Sequence, residues 1–359
     1  MQWTHSAGSH MSSRPVAWVV ESFQYTRAVV EALNGSAAWH LEWCGANGSL
    51  CANRSTTNVA AVVGMADAVN LPSLRSLRLV QSASFYYTAL ADVPACAAVA
   101  RYNPGYLLHG KAAIAEWMMA AALQRVYHLQ TRSDTFRRCA FASDSPFGCP
   151  SASDATRHKT FASLTVGVLG YGNIGRVVAS MAAGLGATVV ATNRHGPFEP
   201  PPSPLKWLSA DNDRLYRAAD VIFVTVAGTA GQLINRTSLA MLREGAHIIP
   251  TAHETIDWEA LADELQRRPD LFATIDNWPH GCWDWPTASC GNAGASSWPA
   301  SPQFGRLKNV MPLGDMSMRD EVFWSGSASI VADNLLALSE GRPLAYLVRN
   351  GSCIGEAYA

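Results

Sequence analysis

Several features are scarce in this chain, and each scarcity removes a class of explanation. Charge of one sign is missing: 27 Lys and Arg stand against 28 Asp and Glu, a net of −1. A balanced chain offers no electrostatic reason to expect a nucleic acid or an anionic membrane as partner. Long hydrophobic runs are missing too. The longest, AAIAEWMMAAAL at 112–123, is interrupted by Glu116 and is too short to span a bilayer. The first residues, MQWTHSAGSHMSSRP, hold no continuous apolar segment of the secretory kind. Their GSHM resembles a vector scar, so residues 1–12 are expected to be disordered or tag-like. Eight cysteines are scattered without a single C-x-x-C pair, which predicts reduced thiols and a cytoplasmic protein. In such a compartment the five Asn-x-Ser/Thr sequons, at Asn34, Asn47, Asn53, Asn235 and Asn350, read as chance. No internal repeat or low-complexity tract is present.

What is present is a rhythm. The chain has 359 residues, 48% hydrophobic and 15% charged, enough for two domains with separate cores. PVAWVVES (15–22), NVAAVVGM (58–65) and LRLVQSA (77–83) read as short buried strands, and FQYTRAVVEAL as the helix after the first. This is the α/β alternation of parallel sheets. KAAIAEWMMAAALQRVYHLQ (111–130) reads as one long, mostly buried helix, and the polar stretch 131–160 as a surface excursion. A second α/β series starts near 161, with strands LTVGVLG, ATVVATN, DVIFVTVA, AHIIPT and LFATID. Residues 277–307, rich in Trp, Pro, Gly and Ser, break the rhythm, and a long segment of this kind is usually functional. With Phe85, Tyr86 and Tyr87 they line an apolar cleft or simply pack on a surface. A last helix, roughly 319–340, stops at Gly341 with Pro343 beyond.

One motif carries chemistry. Gly170-Tyr171-Gly172-Asn173-Ile174-Gly175 follows the strand TVGVL and opens a helix whose Ile174, Val177, Val178 and Met181 form a sheet-packing stripe. In a dinucleotide site the first glycine permits the tight turn and the second admits the pyrophosphate. The third allows close packing of helix on strand, while the helix N-terminus supplies N–H groups and a positive dipole. Gly170, Gly172, Asn173, Ile174 and Gly175 are therefore candidate cofactor residues. The next strand ends at Asn193-Arg194-His195, where an NAD site carries an acid for the ribose 2′-hydroxyl. Asn193 lacks that repelling charge and Arg194 could pair with a 2′-phosphate, so NADP(H) is the expected cofactor and NAD(H) the alternative.

The stretches LRLVQSAS, AAIAEWMMAAAL, LTVGVLGYGNIGRVVA, AADVIFVTV, SLAMLREGAHIIPTA, ATIDNW, LKNVMPLGD and ADNLLALSEGRPL follow one another over about residues 77 to 346. In this order they resemble the D-2-hydroxyacid dehydrogenase family, including its glyoxylate/hydroxypyruvate reductase branch. The resemblance implies a Rossmann-type doubly wound parallel-sheet domain (113–321) inserted into a smaller flavodoxin-like α/β substrate domain built from 13–112 and 322–350. It also implies a small-molecule substrate, a homodimer through the nucleotide-binding domain, and Thr251 and Asp276 as further cofactor residues, Asp276 holding the nicotinamide carboxamide.

The family's working residues are an Arg that grips the substrate carboxylate, a Glu, and a His that moves the proton. None stands at its place here. Where the family has Asn-Thr-Ala-Arg-Gly this chain has Pro250-Thr251-Ala252-His253-Glu254; register from the strand puts His253 at the arginine, and register from the following helix puts Ala252 there. Asp315 takes the place of the histidine. Gly281 takes that of the Glu, with Asp284 or His280 the nearest polar substitute. The expected catalytic set is His253, Asp315 and Asp284, in an oxidoreductase that reduces a 2-oxo acid or another carbonyl. A nucleotide-binding protein without catalysis is the alternative. A zinc site from His253, His280, Cys282, Cys290 and Asp315 lacks regular ligand spacing, so no metal is expected.

Overall fold

The computed structural model describes residues 14–20, 33, 38–45, 48–64, 69–82, 92–101, 111–140, 159–196, 199–276, 278, 304–313 and 321–352. Its first strands are β1 (Val16–Val20), β2 (His40–Trp43), β3 (Val59–Gly64), β4 (Leu79–Ser82) and β5 (Ala98–Arg101). Strands β1 and β3 are almost wholly buried runs of Val, Ala and Trp, as befits strands covered on both faces. Their side chains alternate between two cores: Ala17, Ala61, Val63 and Leu79 face one way, Trp18, Val62 and Val80 the other.

The second series opens with helices α1 (Lys111–Val126) and α2 (Leu129–Ala140), followed by β6 (Thr165–Leu169), α3 (Asn173–Gly184), β7 (Thr188–Thr192) and β8 (Trp207–Ser209). It continues through α4 (Asn212–Ala218), β9 (Val221–Val224), α5 (Arg236–Ala240), β10 (His247–Pro250), α6 (Trp258–Arg267), β11 (Phe272–Ile275) and β12 (Val310–Pro312). The chain then returns through α7 (Glu321–Glu340) and β13 (Leu347–Arg349).

The chain divides into two units, Met1–Gly110 with Asp320–Ala359, and Lys111–Arg319. In the first, the sheet order is β13-β5-β4-β3-β1-β2, parallel except for β13. Without β13 this is the flavodoxin-like order. Helix α7 lays Ala328, Val331, Ala332 and Leu335 on one face of that sheet. It is tied there by a buried amide pair, Asn334 Nδ2 donating to Gln81 Oε1 at 2.9 Å. In the second unit all seven strands are parallel, in the order β12-β11-β10-β9-β6-β7-β8. Relabelled from β6, this is the dinucleotide-binding order extended by one strand, and it reverses between β6 and β9. The α/β class expected from sequence, Rossmann-type plus flavodoxin-like, is the class observed.

Three expectations need correction. The long helix read at 111–130 is two, broken at Tyr127-His128, where His128 takes a left-handed φ of 51°. The excursion read from 131 begins as an exposed helix, α2, whose amphipathic signal is obscured by its many charged and polar residues. Among the described residues the cysteines are not reduced thiols. Cys44 and Cys51 form a disulfide, and Cys96 and Cys139 are disulfide-bonded as well. After β2 the chain turns through Gly45 and Gly48, both at positive φ, and Leu50 N donates to Cys44 O at 3.1 Å, which returns Cys51 to Cys44. A spacing of seven across two glycines makes this loop, and no C-x-x-C signal announces it. Cytoplasmic placement rested on free thiols and loses that support. Among the described residues no helix is long and apolar enough to cross a membrane.

Candidate nucleotide site

The reversal of strand order between β6 and β9 opens a crevice at the carboxyl ends of these strands, and the glycine motif lies in it. Gly170 leaves β6 at φ 101°, and a Cβ there would stand 2.6 Å from Val226 Cγ1. The turn is held from below: Gly170 N and Tyr171 N both donate to Thr192 O, at 3.1 and 3.0 Å. Thr225 Oγ1, at the end of β9, donates to Gly170 O at 2.6 Å. A methyl group on Gly175 would overlap that same Gly170 carbonyl, so the third glycine is required by packing. Gly172 is the opposite case. A Cβ on it would meet nothing within 4 Å, so its face is open while its neighbours are crowded.

Gly172 is the N-cap of α3, no side chain caps the helix, and its first turn holds no acid. The leading N–H groups, at Asn173 and Ile174, are therefore left for an anion at the positive end of the dipole. The open face, uncapped amides and absence of a competing carboxylate fit a dinucleotide pyrophosphate. At the end of β7, Asn193 Oδ1 accepts from His195 N at 3.0 Å and Gly196 N donates to Asn193 O at 3.2 Å. This Asx-type turn holds Arg194 and His195 exposed. Thr192, buried at the base of the turn, has an Oγ1 without a hydrogen-bond partner.

Across the crevice, Thr251 continues β10, its N and Oγ1 both donating to Val224 O at 3.0 and 3.1 Å. His253 and Glu254 follow in a single 3-10 turn, with His253 Nε2 3.6 Å from Glu254 Oε1. Glu254 Oε2 is buried without a hydrogen-bond partner. The backbone of the turn is pinned by Trp258 Nε1, which donates to His253 O at 3.2 Å. Asp276, at the end of β11, is buried at 2% exposure. Trp278 is buried too, its Nε1 donating to Leu313 O at 2.8 Å and its ring 5.4 Å from Trp258 and 5.9 Å from Phe304. This Trp packs in the core. Asp284, Asp315, His280, Gly281, Cys282, Cys290 and the Phe85-Tyr86-Tyr87 segment lie outside the described residues.

Residues 117–292 match the model of the D-isomer specific 2-hydroxyacid dehydrogenase NAD binding domain. By this match the chain carries a nucleotide-binding domain of the D-2-hydroxyacid dehydrogenase kind. A D-lactate dehydrogenase of Treponema pallidum is 31% identical over 170 residues, 46% of this chain and 47% of that enzyme. A hydroxypyruvate reductase of Thermotoga maritima is 35% identical over 126 residues, 34% of this chain and 40% of that one. The chain thus aligns with less than half the length of these curated relatives. In fold the likeness is broader: the NADPH-dependent glyoxylate/hydroxypyruvate reductase of Sinorhizobium meliloti superposes with a TM-score of 0.66 at 18% identity, covering 93% of this chain and 97% of that one.

Against this family the glycine turn of the D-2-hydroxyacid dehydrogenase domain was legible in the sequence. Thr225 and Thr192 were not, because a Thr at a strand end carries no motif. His247, the first residue of β10 and so at the end of that strand away from the glycine turn, is buried with Nε2 2.8 Å from Thr274 Oγ1. Burial first, and the nearby Arg125 guanidinium second, push its pKa down to about 3.

Proposed function

We propose that the chain binds NADP(H) in preference to NAD(H) and uses it to reduce the carbonyl of a small molecule, a 2-oxo acid or a related compound. The observation that carries the reading is the open face of Gly172 beside uncapped amides, with the exposed Arg194 at the ribose end. The structures of similar fold include an NADPH-dependent reductase and NAD-complexed dehydrogenases, so the preference rests on this chain's own residues. The nicotinamide, when bound, supplies the hydride. The chain's own residues do the rest. Gly170, Gly172 and Gly175 shape the turn, Asn173 and Ile174 offer amides to the pyrophosphate, and Thr251 and Asp276 border the nicotinamide end. His253 polarises the carbonyl or holds a nearby anion, as a single donor in place of a guanidinium fork. Asp315, at the family histidine's place in the sequence, hands over the proton, and Asp284 substitutes for the family's Glu. A homodimer through the nucleotide-binding domain completes the proposal.

A second reading has one observation in its favour. Glu254 sets a carboxylate 3.6 Å from His253, which weakens any hold of His253 on a substrate carboxylate. A chain that kept the nucleotide and lost turnover would tolerate this. A screen of 2-oxo acids and aldehydes with NADPH and NADH separates the two. Turnover of any of them that is abolished by Asp315→Asn with nucleotide affinity unchanged supports the reductase. Tight NADPH binding with no turnover supports the second reading.

A further inference from the structure

Every cysteine among the described residues is oxidised: Cys44 is bonded to Cys51, and Cys96 and Cys139 are in disulfides too. Thiol-reducing systems keep such bonds from persisting in ordinary cytosol, so this fold is built for an oxidising compartment. That reverses the weight of a motif the nucleotide site leaves unused. An Asn-x-Ser/Thr sequon is inert in a reducing compartment and is an acceptor of N-linked sugar in a secretory one.

The structure sorts the sequons. Asn53 stands in the turn immediately after Cys51, and the whole triplet Asn53-Arg54-Ser55 is exposed. Asn350 is exposed directly after β13, with Ser352 held by N and Oγ to Ala95 O at 2.9 and 3.2 Å. Neither asparagine amide is engaged by another described residue. Asn235 differs. It is half-buried, its Oδ1 accepts from Thr237 N and Ser238 N at 3.0 and 3.1 Å, and its Nδ2 donates to Gln232 O at 2.9 Å. A sugar on that nitrogen would displace the cap of α5. Asn34 and Asn47 lie outside the described residues.

A second observation singles out the same two places. Asn53 follows β2 and Asn350 follows β13, and these are the two edge strands of the six-stranded sheet. Large apolar side chains are exposed at both edges, Trp43 and Leu50 beside the first, Tyr346 and Val348 beside the second. Open apolar sheet edges invite association, and a bulky hydrophilic cover removes the hazard.

We infer that Asn53 and Asn350 are N-glycosylation sites and that Asn235 is not. The transfer joins Asn Nδ2 to C1 of the sugar of a lipid-diphosphate-linked oligosaccharide, expels the lipid diphosphate and releases one Nδ2 proton. The test uses full-length protein isolated from its native cells, treated with peptide-N-glycosidase in heavy-oxygen water and mapped by mass spectrometry without reduction. The expected map shows heavy aspartate at 53 and 350, unchanged Asn235, and a disulfide-linked Cys44–Cys51 peptide. Asn53→Gln and Asn350→Gln should each lower the apparent mass by one glycan. Unmodified asparagine at 53 or 350, a label at 235, or free thiols at Cys44 and Cys51 would each overturn the inference.

Discussion

Adding one methyl group at either of two glycines separates the nucleotide site from the fold that carries it. In Gly175→Ala the new Cβ meets the Gly170 carbonyl, and also Thr225 Oγ1 at 2.9 Å and Val168 Cγ1 at 3.0 Å. Two of these neighbours are fixed, one being backbone and the other a side chain of the buried β6, so α3 must move away from the strand. Overpacking of this kind costs about 1–3 kcal/mol. For a domain of this size that is roughly 2–4 °C of melting temperature per kcal/mol. Gly172→Ala adds the same methyl where nothing lies within 4 Å, at φ −95° and ψ −152°, an extended backbone open to any residue. Its cost to the fold is the loss of a favourable N-cap, about 1 kcal/mol or less. The methyl instead occupies the face a pyrophosphate must approach, and affinity should fall at least tenfold, about 1.4 kcal/mol. Thermal unfolding and nucleotide titration by tryptophan fluorescence, run on both variants, read the two effects separately. A Gly172→Ala protein that binds NADPH as the wild type does would refute the cradle.

Acid should unfold the chain partly through His247. Its folded pKa of about 3 lies below the ordinary 6.5, so the unfolded state takes up a proton that the folded state refuses. The stability this contributes is complete above pH 6.5 and drains as pH falls toward 3, at up to about 1.4 kcal/mol per unit. Denaturant unfolding of wild type and His247→Gln across that window should show a shallower loss in the variant, and equal slopes would remove His247 from the account. Asn235→Ala deletes the side-chain cap of α5 and should cost about 1 kcal/mol in the same assay. No measurable loss there would mean that the capping box contributes nothing.

How much of this could be read from the residues varies with the kind of signal. The glycine turn was legible because three positions share one geometric demand and are flanked by an apolar strand and an amphipathic helix. The parallel sheets were legible because runs such as VAWVV and VIFV are buried on both faces. Strands β8 and β13, three residues each at sheet edges, are too short to show a period. The break at His128 hides within a continuous polar-apolar pattern, since a single residue in the left-handed region leaves composition unchanged. The disulfide loop was missed because Cys44 and Cys51 meet only after Gly45 and Gly48 turn the chain. The expected replacements at His253, Asp315 and Gly281 rest on departures from a family pattern. Of these His253 alone falls among the described residues, and its Glu254 neighbour, with a buried unpartnered oxygen, is the feature that sequence order alone could not weigh.

The central claim is that this site selects the phosphorylated cofactor. Parallel fluorescence titrations with NADPH and NADH, on the wild type and on Asn193→Asp with Arg194→Ala, test it most directly. A charge-assisted contact from Arg194 to the 2′-phosphate is expected to contribute about 1.5–3 kcal/mol, roughly ten- to a hundredfold in favour of NADPH. The double variant should lose that preference and turn toward NADH. Equal affinities in the wild type, or tighter NADH, would contradict the account and leave Arg194 as a solvent-facing turn residue.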